Sequence, residues 1–444
     1  MPTVSTRNGI LPRFTSAMRG QGLSGTAARA LAARLLGPAS SFLLALLLAR
    51  SLGAEGTGVF YAALTAMTAL ATLAKFGLET ALQRIVGAAN ERQDNATVLG
   101  IYQQALWISG LLSILAGTSI SLLADSLSQL LLQTSQHASV VRVLGLAIIP
   151  FSLLGVHAAM LKALGRPVWG GFFEAAAWPL FTLALVVSAW VSTPLTPVGI
   201  GYGHLAGMMI ALFVSHAVLR RQLPSSAHIT PLPHRHLLSS CVPLTIVELT
   251  NFALLWTPFL LIPALADASE AGLYNISHRL SAQLGLLILV FASIAAPRFA
   301  AYHQADDRDA LSSLAGASTR NMLMFGMPVA LVLLIWPEWL LNLFGTEFTA
   351  AADALRILVA AQAFNLATGP VGYLLAMTGM ENVLRNIVLA TLALTLPLSL
   401  WLIPAHGAIG AALAVALPMV FLNLACNALA ARRLEIPFFL LFAR

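Results

Sequence analysis

Apolar runs long enough to cross a bilayer recur along this chain, and charged side chains scarcely interrupt them. A helix needs roughly 20 apolar residues to span the hydrocarbon core. Twelve runs meet that need, over residues 31–49, 57–82, 98–123, 139–161, 168–191, 198–219, 239–264, 272–296, 319–341, 353–377, 386–404 and 407–430. Charged residues make up 9% of the 444 and hydrophobic ones 58%, with a mean hydropathy of +0.84. An average globular domain is about 25% charged. This chain lacks the polar groups to cover a soluble surface, and its apolar content excludes disorder. The expectation is an all-α polytopic membrane protein. The formal net charge of +7 does not point to nucleic acid, because the basic residues stand singly between apolar runs. Cys241 and Cys426 form neither a CxxC nor a Cys/His pattern, so no disulfide framework or metal site is expected. HExxH, P-loop and GxSxG motifs are absent from the sequence, so enzyme chemistry is not expected either.

Orientation follows from Lys and Arg in the connections. With the N-terminus in the cytoplasm, eighteen basic residues fall in cytoplasmic segments, among them Arg84, Lys162, Arg166, Arg220, Arg221, Arg432 and Arg433. The opposite connections carry Arg50 alone. Both termini are therefore expected in the cytoplasm. The first thirty residues are basic and precede an apolar run, as in a signal peptide. Cleavage there would remove the first span and break a duplication, so the segment is expected to stay.

That duplication has an offset of 214 residues. Gly58 in GVFY matches Gly272 in GLYN, Arg84 matches Arg298, and Arg142 in VVRVL matches Arg356 in ALRIL. Gly155 matches Gly369, and Gly165 matches Gly379. Six spans per repeat put both halves into the membrane in the same direction, as parallel repeats about an axis along the membrane normal. The expected organisation is a basic segment 1–29, a first lobe 30–222, a linker 223–238, a second lobe 239–431 and a tail 432–444. Two parallel six-helix lobes would enclose a central cavity.

Several stretches carry a family resemblance. ARSLGAEGTGVFYAALTAMTALATLAKFGLETALQRIVGAANE resembles the N-terminal signature of bacterial polysaccharide exporters. EAGLYNISHRLS, LFGTEFTAAADALRILVAAQAFN and GPVGYLLAMTGMENVLRN resemble the same family. These are the Wzx-type oligosaccharide-lipid flippases of the multidrug/oligosaccharidyl-lipid/polysaccharide (MOP) exporter superfamily, and the likeness covers most of residues 30–430. It implies twelve helices in two lobes, and transfer of a polyprenyl-diphosphate-linked oligosaccharide from the cytoplasmic to the periplasmic leaflet of the inner membrane. The cargo would be a repeat unit of O-antigen, capsule or exopolysaccharide, with a polysaccharide polymerase and ligase as candidate partners. Many relatives carry an acid in the seventh span near WTPFLL. Here Trp256, Thr257 and Pro258 stand there, so no coupling role carries over.

A charge inside a span costs at least ~2.5–3.5 kcal/mol and normally faces a cavity or a partner. The candidates within the spans are five basic residues (Arg34, Lys75, Arg142, Arg279, Arg356) and three acids (Glu79, Glu174, Glu248), with Arg320, Glu338 and Asp353 falling toward span ends. The surplus suits an anionic substrate, and a guanidinium binds phosphate oxygens through two points at once. Arg34 and Glu248 are equivalent at the offset and form a gate, or Arg34 meets the incoming diphosphate, or else each snorkels to the interface. Lys75 and Glu79, four apart, neutralise each other or form an ion-sensitive pair. Arg142 and Arg356 help release the anion or anchor helix ends. Arg279 matches Thr65 rather than a cation, and is a candidate cavity residue. Glu174, beside Gly170 and Gly171, joins helices or couples ions. No cofactor is expected, and proton or sodium influx is the candidate driving force. Gly203 and Gly207 form a GxxxG that brings helices together.

Three rival functions fit the sequence less well. A cation or drug antiporter should line its first lobe with acid, but span one has Arg34 and no acid. A membrane glycan polymerase needs a sizeable outer loop, and the longest, 124–138, holds little beyond Asp125 and His137. A flippase for the peptidoglycan precursor usually has fourteen spans. The favoured expectation is a lipid-linked oligosaccharide flippase working by alternating access.

Overall fold

The computed structural model describes residues 25–190, 194–223 and 234–437. Among these residues the regular structure is helical. The first half holds α1 (Gly25–Lys75), α2 (Leu78–Glu91), α3 (Asn95–Leu122), α4 (Ala124–Leu132), α5 (Ala138–Ala163), α6 (Pro167–Ala175), α7 (Ala177–Trp190) and α8 (Pro197–Arg220). The second holds α9 (His234–Leu265), α10 (Ala268–Gln304), α11 (Arg308–Ile335), α12 (Pro337–Asn342), a 3-10 turn (Thr346–Ala351), α13 (Ala352–Thr368), α14 (Val371–Met377) and α15 (Glu381–Leu434).

Each of the twelve expected runs overlies helix. Among the described residues eight helices are long and apolar enough to cross a membrane, or nine when the bent pair α6 and α7 is taken as one span. The difference from twelve lies partly in α1 and α15. As a straight helix the 54 residues of α15 would be about 80 Å long, against a core of roughly 30 Å. Both helices turn instead at a glycine: Gly53 has φ 69° and ψ −173°, and Gly407 has φ 52° and ψ −127°. A side chain at either position would be strained and would also meet a carboxylate, Glu347 at Gly53 and Glu270 at Gly407. Glu270 accepts the Ala408 N–H at 2.7 Å. It thereby caps the helical arm that starts after the kink, where a negative charge is favoured.

The halves share local devices. Asp94 accepts from Thr97 N–H at 3.1 Å and caps α3. Asp307 does the same for α11 through Ala310 N–H at 2.9 Å. Gly165 and Gly379, matched in sequence, have φ of 75° and 77° at the ends of α5 and α14. The GxxxG of α8 packs on α7: a methyl at Gly207 would stand 2.7 Å from Thr182 N.

The buried core is divided along the membrane normal. One cluster takes residues from both halves, including Leu48, Phe60, Met67, Tyr274, Phe344 and Phe348. These lie toward the face opposite the basic connections, called here the outer face. Toward the basic face there are two separate cores. One joins α2, α3, α5 and the start of α9 around Leu82, Ile101, Met160 and Leu237. The other joins α10, α11, α14 and α15 around Phe299, Leu311, Leu374 and Leu434. The halves are thus joined at the outer side, and toward the basic side the start of α9 packs with the first half while α10, α11, α14 and α15 hold a core of their own.

Candidate functional site

The halves meet most extensively where α1 packs on α10, and the sequence explains why. Ala54 and Gly58 form a small-xxx-small pair on α1, and Ala268 and Gly272 form the same pair on α10. Small residues at this spacing let helix backbones touch. A methyl built on Gly58 would overlap the Ala268 carbonyl, and one on Gly272 would overlap the Ala54 carbonyl. Each residue meets the counterpart of its partner, so the contact is reciprocal, as a two-fold axis near the two glycines requires.

Arg279 lies two turns of α10 further from the outer face. Its guanidinium sits 4.3 Å from the centre of the Tyr61 ring on α1, a cation–π contact worth ~0.5–2 kcal/mol. Its Nε donates to Asn275 Oδ1 at 2.9 Å. A cavity of about 10 Å³, lined by Arg279, Tyr61, Ser41, Trp178 and His204, opens beside it. It has room for about one water, so the halves are nearly shut here. Among the described residues Arg279 has no carboxylate within ion-pair distance.

A second cluster sits where the helix carrying Gly58 breaks. Phe76 and Gly77 have φ of 50° and 65°, which ends α1 and restarts the chain as α2. With no Cβ at Gly77, α9 comes close: a methyl there would be 2.7 Å from Cys241 O and 2.9 Å from Thr245 N. Beside the break Lys75 Nζ lies 3.1 Å from Glu79 Oε1 and 5.3 Å from the centre of the Phe151 ring. The Glu79 carboxylate rests on Gly155 of α5, where a methyl would overlap it. Thr80 donates to Glu248 Oε1 of α9 at 3.3 Å, bridging the halves. Glu248 Oε2 is buried and has no hydrogen-bond partner. Because α9 begins at His234, Glu248 stands almost four turns into its helix. Lys75, Glu79 and Glu248 therefore form one group across the interface.

The remaining in-span charges have local partners. Arg142 pairs with Asp125 of α4 at 3.1 Å and donates to Ser121 O at 3.2 Å. Its counterpart Arg356 pairs with Glu338 of α12 at 2.6 Å and with Asp353 at 2.8 Å. Each thus ties a span to the short outer helix before it, which is the anchoring geometry. Glu174 of α6 pairs with Lys162 of α5 at 2.6 Å, joining neighbouring helices at the basic face. Arg34 belongs to α1, but its side chain lies outside the described residues. The sequence reading passed over Thr80, Asp125, Glu338 and the two Ala-xxx-Gly pairs. A usable signal was present for most of these. Asp125 and Glu338 precede their arginines by nearly equal distances, and Ala54 and Ala268 keep the 214-residue offset.

Known proteins match this architecture. The family model for polysaccharide biosynthesis proteins matches residues 30–303, more than half the chain. The probable low-salt glycan biosynthesis flippase Agl15 of Haloferax volcanii is 23% identical over 398 residues, covering 87% of this chain and 78% of that protein. An inward-facing multidrug resistance MATE family transporter of the MOP superfamily superposes with a TM-score of 0.75 at 14% identity, over 91% of this chain and 98% of that one. The lipid II flippase MurJ, in an inward closed conformation, gives 0.71 at 13% identity, over 90% and 86%. At such identities the structural likeness speaks for the fold. The family match places this multi-pass membrane chain in the polysaccharide biosynthesis protein family.

Proposed function

We propose that the protein carries a polyprenyl-diphosphate-linked oligosaccharide from the cytoplasmic to the periplasmic leaflet of a bacterial inner membrane, by alternating access between lobes 30–222 and 239–431. Family and fold are those of transporters and flippases rather than enzymes, so no bond needs to be made or broken. The observation that carries the reading is Arg279. Lys75, Arg142 and Arg356 each hold a carboxylate, and Arg279 does not, although it lies between the halves on the aromatic face of Tyr61. A guanidinium held by an aromatic ring and an amide keeps donors for phosphate oxygens. Loading is from the cytoplasmic side, with the lipid tail left in the bilayer between the lobes. Lys75, Glu79 and Glu248 are the candidates for coupling to proton or sodium influx, since they span the interface the lobes must rearrange.

The test is translocation of a fluorescent polyprenyl-diphosphate-linked glycan in proteoliposomes, with and without a proton or sodium gradient. Transport that responds to a gradient is expected. Export of a cationic dye with no movement of the glycan would overturn the proposal in favour of a cation antiporter.

A further inference from the structure

Arg50, the sole basic residue among the outer connections, has no place in the binding scheme above. Its Nε donates to Leu343 O at 2.6 Å, the main-chain carbonyl at the end of α12. The bond crosses from the end of the first outward arm of α1 to the connection between α11 and α13. On the same face Gln133, with φ 57° at the end of α4, donates from Nε2 to Ala264 O at 2.8 Å and approaches Ala266 O at 3.4 Å. That bond crosses from the connection between α3 and α5 to the end of α9.

The two bonds are related by the duplication. Ala264, which receives the Gln133 bond, is the counterpart of Arg50, and Glu347, the counterpart of Gln133, lies against Gly53 three residues from Arg50. Each contact joins the end of a lobe's first span to the other lobe's connection between third and fourth spans. Both receiving carbonyls sit at helix C-terminal ends, where the helix leaves them without an internal partner. Both donors are exposed and so are free to exchange these carbonyls for water.

We propose that Arg50 and Gln133 form a pseudo-two-fold latch that holds the outer face shut over the Gly58–Gly272 contact, and that releasing both bonds is part of opening that face. A latch of this kind reads the shape of the protein, so it stands or falls independently of what the protein carries. Bonds from side chains to main-chain carbonyls tolerate sequence change at the acceptor, which accounts for how two halves with different residues keep one closing geometry.

The test is a distance measurement between spin labels at Ser126→Cys in the first lobe and Ala350→Cys in the second. Both sites are exposed, and Cys241 and Cys426 would be replaced by Ala. With the protein in nanodiscs, Arg50→Ala and Gln133→Glu should each raise the ratio of separated to closed distances by about fivefold, the effect of one lost hydrogen bond. The double variant should raise it by roughly the product. Gln133→Glu keeps the side chain's size and removes its donor, so the fold stays intact. A double variant that remains monodisperse and shows the distance distribution of the unaltered protein would overturn the latch.

Discussion

Gly58→Ala tests the contact on which closure of the outer face rests. The Ala268 carbonyl oxygen stands so near that a methyl at Gly58 fits only after α1 and α10 part by about 1.4 Å, a displacement well beyond what a packed interface absorbs. Overpacking of this kind costs ~1–3 kcal/mol. The cost falls on the closed arrangement, in which the two helices touch, and not on one in which they have separated. The open population should therefore rise by about 5–150-fold. Thr57, fully buried beside the contact, serves as reporter. In a Thr57→Cys protein without other cysteines, labelling by a membrane-impermeant maleimide should accelerate by that factor when Gly58→Ala is added. Gly272→Ala should act alike, and the two together should give less than the product, because the first methyl has already parted the helices. Gly171→Ala, where a methyl meets nothing within 4 Å, is the control. An unchanged labelling rate in a folded Gly58→Ala protein would refute the reasoning, since the reciprocal contact would then not govern closure.

Two further substitutions probe the cluster at the break between α1 and α2. Gly155→Ala should lower the thermal midpoint in detergent, because the methyl displaces the Glu79 carboxylate at a cost of ~1–3 kcal/mol. Adding Glu79→Ala should recover part of the loss, and strict additivity would contradict the packing described. Glu248→Gln keeps an acceptor for Thr80 while removing the charge, and should abolish the response of transport to an ion gradient with little change in stability. Transport that keeps its full gradient response in this variant would remove Glu248 from any gating or coupling role.

Much of the architecture was legible in the sequence because it follows from burial. Apolar runs of span length had to become helices, and a fixed offset between Gly58 and Gly272, or between Gly165 and Gly379, recorded a duplication that the backbone repeats. What escaped was the conformation between and within runs. Nothing in a hydropathy window separates Gly53, which turns a long helix through a positive φ, from Gly171, which sits inside the short α6 without constraint. Electrostatics was half legible. The apolar runs hold Arg142, Arg356 and Glu174, but the partners Asp125 and Lys162 lie just outside the runs and Glu338 three residues from the end of one. Among the described residues, pairing with carboxylates takes up Lys75, Arg142 and Arg356 and leaves Arg279 without one. Its contact with Tyr61 depends on how α1 crosses α10 and has no signature along the chain.

The most direct test of the central claim is the initial rate at which a polyprenyl-diphosphate-linked glycan crosses proteoliposomes containing Arg279→Ala, compared with the unaltered protein and Arg279→Lys. Losing a charge-assisted hydrogen-bond donor to phosphate should slow the Ala variant by about tenfold or more. Lys, a point charge without the planar fork, should retain part of the rate. An Arg279→Ala protein that moves the glycan as fast as the unaltered one would contradict the account.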